Sequence, residues 1–71
     1  MDSQVGDLYI VVQPVESRWT PELDLHPGDV LLFTRTTKWD ADYLFMYCPR
    51  LNEERPYHAI TIRDCFRKVL S

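Results

Sequence analysis

Seventy-one residues with a net charge of −3 and 45% hydrophobic content describe one folded domain with a thin core. A chain this short buries about 60% of the surface it exposes when unfolded, which leaves little room for a deep, water-excluding catalytic cavity. Its mild acidity disfavours nucleic acid as a partner, it holds no run of about 18 apolar residues that could span a membrane, and Met1–Gln4 lacks the basic and apolar regions of a secretory leader.

In chain order, Leu8-Tyr9-Ile10-Val11-Val12 is a β-rich run that Gln13-Pro14 ends. Residues 14–22, with Pro14, Ser17, Thr20 and Pro21, suit a long irregular loop. Glu22-Leu23-Asp24-Leu25 alternates polar and apolar, as a half-buried strand does. Pro27-Gly28 predicts a tight turn, because Pro presets φ and Gly accepts φ > 0. Val30 to Thr34 is the next strand, and Arg35 to Lys38 a polar loop. Tyr43 to Cys48 is a continuous aromatic and aliphatic run that reads as a central strand, closed by Pro49.

Arg50 to Pro56 reads as a polar connection. From Tyr57 to Ile62, Tyr57, Ala59 and Thr61 alternate with His58, Ile60 and Ile62, which predicts another strand. Asp64 to Leu70 fits either a helical turn followed by a last strand or a short helix. The whole is five or six short antiparallel strands with turn residues between them, the pattern of a small all-β barrel.

Charge and cysteines narrow the partners. Residues 1–33 carry six acids against Arg18 alone, and residues 34–71 carry seven bases against five acids. An acidic first half favours a basic partner segment. Cys48 and Cys65 match neither Cys-x-x-Cys nor a four-ligand zinc spacing, so they read as reduced thiols of a cytosolic protein with no cofactor or metal.

Glu22-Leu23-Asp24-Leu25 followed by Gly28-Asp29 resembles the diverging-turn region of SH3 domains, and the order of elements is similar across nearly the whole chain. The resemblance implies a small SH3-like barrel, residues 1–71, belonging to a larger cytoplasmic signalling or scaffold protein. It implies a non-catalytic module for protein or peptide partners, proline-containing or intramolecular. Glu16 and Glu22 resemble the acids that pair with a basic residue flanking a proline-rich peptide, a contact of about 0.5–3 kcal/mol depending on exposure. Trp39, or alternatively Tyr43, is placed as the ligand-facing ring, Phe66 as the late pocket aromatic, and Trp19 at the tip of the loop. The family's first-strand tyrosines are replaced by Gln13 and Val15, so the resemblance points to an atypical ligand.

Three other constellations are worth setting beside this one. A reader of methylated peptides, similar to Tudor or chromo barrels, would use Trp39, Tyr43, Phe45 and Tyr47 as a cage. Leu44 and Met46 alone look too few to fill a core, so some of these rings are expected inside. A nucleic-acid face would need Arg63, Arg67 and Lys68 beside Tyr57 and Phe66. A small cysteine-dependent enzyme would need Cys48 or Cys65 beside His26 or His58.

Overall fold

The computed structural model describes residues 4–17, 21–37 and 40–70, without the side chain of Leu70. Five strands make one antiparallel sheet: β1 (Leu8–Val11), β2 (Val30–Thr36), β3 (Tyr43–Cys48), β4 (Glu53–His58) and β5 (Phe66–Leu70), with a seven-residue helix α1 (Ala59–Cys65) between the last two. The strand order is β4-β3-β2-β1-β5. This is a small, SH3-like all-β arrangement. The sheet does not close: β4 and β5 are its two edges, and α1 bridges them.

Register decides which side chains form the core. Tyr9 faces Leu31, Val11 faces Phe66, and Phe33 faces Met46. Cross-strand partners share a face, so Tyr9, Val11, Leu31, Phe33, Met46 and Cys48 converge on one side, where all are buried. Leu25, Ile62 and Phe66 complete that cluster from outside the central strands. Phe33, Leu31 and Met46 are at most 1% exposed.

The β run at Leu8 and the run from Tyr43 to Cys48 form strands as their composition dictates. The turn also forms as Pro27-Gly28 requires: the Asp29 N–H donates to the His26 carbonyl at 3.0 Å, and Gly28 sits at φ 100°. Pro at the second position and a positive φ at the third define a type II turn.

Four expectations are corrected. Glu22 to Leu25 is not a strand. Pro21–Leu23 winds into a 3-10 turn, with the Asp24 N–H on the Pro21 carbonyl at 3.1 Å, and Leu25 alone pairs with Val15. Pro21 presets the φ of a first helical residue, and that local preference overrides a four-residue alternation. β2 runs on to Thr36 past an irregularity at Thr34, whose hydroxyl donates to Glu54 Oε2 at 2.6 Å. The polar connection after Cys48 is only four residues long, closed by the Asn52 N–H on the Pro49 carbonyl at 3.2 Å with Asn52 in the left-handed region. Asparagine tolerates that conformation better than most residues. β4 therefore begins at Glu53 and contains Pro56, which lacks the N–H a central strand must donate and is tolerated because β4 is an edge.

The fourth correction is the strand expected over Tyr57 to Ile62. The chain leaves the sheet after His58, whose Nδ1 accepts from the Ile60 N–H at 3.1 Å and caps α1. Within α1, Ile62 is buried, Cys65 packs against the core, and Ile60 is 54% exposed. That three-residue spacing belongs to a helix, not to the alternation the sequence suggests. Asp64 to Leu70 resolves into the end of this helix followed by β5.

Two polar contacts pin the ends of the sheet. Asp7, 3% exposed, accepts from the Gln4 N–H at 2.7 Å and pairs with Lys68 Nζ at 3.2 Å. The Gln4 N–H holds its carboxyl below the ordinary value against the opposing effect of burial, with Lys68 assisting. At the other end, Arg50 grips Asp29 through Nε and Nη2, both at 2.8 Å, and also donates to the Asp24 carbonyl at 2.8 Å. The type II turn and the β3–β4 turn are thereby locked together.

Candidate functional site

A cleft of about 260 Å³ opens between the loop after β1 and the edge strand β4. The loop wall is built by backbone pairing. Val15 and Leu25 exchange both N–H···O=C bonds, at 3.0 and 2.8 Å, and Ser17 donates its N–H to Asp24 Oδ1 at 2.6 Å. With the loop held in this way, Val15, Glu16 and Ser17 line one side, and Leu23 projects from the 3-10 turn. The opposite side is Arg55, Pro56 and Tyr57 of β4.

Chemically the cleft mixes apolar and polar surface and carries a charged residue on each side. Val15, Leu23, Pro56 and Tyr57 give the apolar surface. The Tyr57 ring rests edge-on against Phe66, centroids 5.4 Å apart, and burial pushes its phenol above the ordinary value near 10.0. Arg55 pairs across the sheet with Met46, so its side chain starts from the core-facing side and is half-buried. Glu16 is exposed on the loop wall.

The sequence-derived site residues fall into different places. Glu16 lines the cleft, whereas Glu22 sits exposed on the 3-10 turn and is not part of its lining. Tyr43 lies on the far face of the sheet, edge-on to His58 at 5.0 Å. Phe66 corrects the expectation of a pocket wall: it is 5% exposed and belongs to the core, because its register partner is the buried Val11. Trp19 and Trp39 lie outside the described residues. Arg55, Pro56 and Tyr57 escaped the sequence reading as a set. A proline just after a charged pair, ahead of an aromatic residue, was the available sign of an edge strand.

The aromatic run of β3 gives a further correction. Tyr43, Phe45 and Tyr47 all lie on the face opposite Met46 and Cys48, so none of the three is core. The core closes without them because Leu25, Ile62 and Phe66 enter from the loop, the helix and β5. The rings form a row, not a cage. Tyr43 meets His58, the Arg35 guanidinium lies 4.1 Å over Phe45, and the Tyr47 hydroxyl donates to Asn52 Oδ1 at 2.7 Å. The basic set considered for nucleic acid is likewise dispersed: Arg63 pairs with Asp64, Lys68 with Asp7, and Phe66 is buried. Cys48 is buried and Cys65 half-buried, both as free thiols, and neither lines the cleft.

Comparison with known proteins returns no matching family model, no matching curated protein and no matching solved structure.

Proposed function

We propose that this domain is a non-catalytic protein-interaction module of SH3 type, which takes a short peptide segment of a partner, or of its own parent chain, in the cleft beside β4. The observation that carries this reading is the cleft itself: a loop fixed by paired backbone bonds faces an edge strand across a mixed apolar and polar surface with a charged residue on each side. Its volume lies just under the roughly 300–1,000 Å³ of small-molecule sites, and its fixed walls suit a few side chains of an extended segment. The free thiols fit a reducing, cytosolic setting for the parent protein. Loss of the tyrosines at Gln13 and Val15 supports an atypical peptide over the family's usual proline-rich one.

The test is selection of a random peptide display library on the domain, followed by amide chemical-shift mapping of the recovered peptides. Binders are expected to move Val15, Ser17, Leu23, Arg55 and Tyr57. Shifts centred instead on Tyr43, Phe45 and Tyr47 would overturn the assignment of the site.

A further inference from the structure

Among the described residues two arginines have no ion pair, Arg55 and Arg67, and of these only Arg55 is half-buried, since Arg67 is exposed on β5. Arg35 holds Glu54, Arg50 holds Asp29, and Arg63 holds Asp64, each within 3.1 Å. Arg55 makes no ion pair or side-chain hydrogen bond among the described residues, although it is half-buried on the cleft wall. Glu16 shares the cleft with it, yet the two are not paired. A guanidinium partly withdrawn from water gains most from a carboxylate, which it can grip through two parallel N–H donors.

Building on the peptide-binding reading, we infer that the cleft selects a segment in which an acidic side chain, seated on Arg55, lies beside an apolar residue packed on Val15, Leu23 and Tyr57. Glu16 on the other wall repels a carboxylate placed in the reverse direction and so fixes the polarity of the bound chain. The acid is an internal Asp or Glu and not a chain terminus. Capture of a terminal carboxylate relies on a nest of unengaged backbone N–H groups. Here the N–H groups of Val15 and Ser17 already donate to Leu25 and Asp24, and Pro56 has none.

The test uses the same display selection with N-acetylated, C-amidated peptides resynthesised from the hits. The expected result is enrichment of Asp or Glu at one position next to an apolar residue. Replacing that acid by Gln should weaken binding about tenfold, the loss of one charge-assisted contact. Arg55→Gln should cause the same loss, and combining the two changes should cost no more than either alone. Arg55→Glu should exchange the acidic preference for Lys or Arg. Arg55→Gln is the milder variant, and an unchanged amide spectrum shows that it folds. Cleft-binding peptides without an acidic preference, or additive losses in the double change, would overturn this inference and leave the peptide-binding reading standing. Recovery of no cleft-binding peptide would overturn both.

Discussion

Asp29 and Arg50 at the turns, and Glu16 and Arg55 in the cleft, each set a carboxylate near a guanidinium, and they differ in outcome. At the turns, Asp29 and Arg50 close on each other through two 2.8 Å contacts, and Asp29 also accepts from the His26 N–H at 2.8 Å. In the cleft, Glu16 and Arg55 share a wall space and do not pair. The first pair is satisfied internally and holds two turns in register. Among the described residues the second leaves both charges without an ion-pair partner. Charge content alone does not distinguish them; backbone geometry does, because the type II turn aims Asp29 at Arg50 while the paired loop and β4 hold Glu16 and Arg55 apart.

The comparison breaks hardest at Leu25, which belongs to both regions. It pairs with Val15 on the cleft side, precedes the type II turn, and is 1% exposed. Leu25→Ala is expected to cost about 2–5 kcal/mol in chemical denaturation and to weaken peptide binding as well. Loss of stability with intact binding would show that the cleft does not depend on this anchor.

Asp29→Asn acts on the closed pair alone and should cost about 1 kcal/mol, with binding in the cleft unchanged. It should also alter the acid limb. The Arg50 guanidinium, aided by the His26 N–H, holds the Asp29 carboxyl below its ordinary 3.8 despite the opposing effect of burial. A group whose folded value is lowered contributes stability above its unfolded value and loses it as the pH falls through the folded one. Unfolding midpoints measured below pH 4 should therefore decline less steeply in Asp29→Asn than in the wild type, with the residual slope owed partly to Asp7. Equal slopes in the two proteins would refute the assignment.

On the open side, Tyr57 carries the opposite sign. Burial raises its phenol above 10.0, so the stability it contributes is complete below that value and lost as the pH rises through the folded one. Tyr57→Phe should flatten the alkaline limb of a thermal-unfolding series, and an unaltered limb would count against burial as the cause. The smallest effect is expected outside both regions. Arg35 is well exposed above Phe45 and beside Glu54, so Arg35→Ala should cost about 0.5 kcal/mol by denaturation and leave cleft binding unaltered.

What was legible from sequence follows the range of the interactions involved. Pro27-Gly28 and the Tyr43–Cys48 run declare themselves because turn chemistry and β composition act over a few residues. Ala59–Cys65 does not, since Ile60, Thr61 and Ile62 are β-branched and favour strands locally. The helix exists because His58 caps it and Ile62 and Cys65 meet the core, contacts that lie far apart in the chain. The outward row of Tyr43, Phe45 and Tyr47 was hidden for the same reason: a core supplied by Leu25, Ile62 and Phe66 cannot be counted from β3 alone. Glu16 is reached through the resemblance of its loop to the SH3 pattern and does line the cleft, whereas Arg55 becomes a candidate only once the register of β4 sets it half-buried on the cleft wall without an ion pair among the described residues.

Pro56 carries a consequence for the behaviour of the protein at high concentration. β4 is a sheet edge beside an open cleft, the kind of border on which copies of a chain can stack strand upon strand into fibrils. Along this border stand Glu53, Glu54 and a residue with no hydrogen to donate. Registers that bring Glu53 and Glu54 of two copies opposite each other are disfavoured by like charge, and the ladder between the copies is short of one rung. The proposed binding surface can thus stay open without becoming a template for self-association.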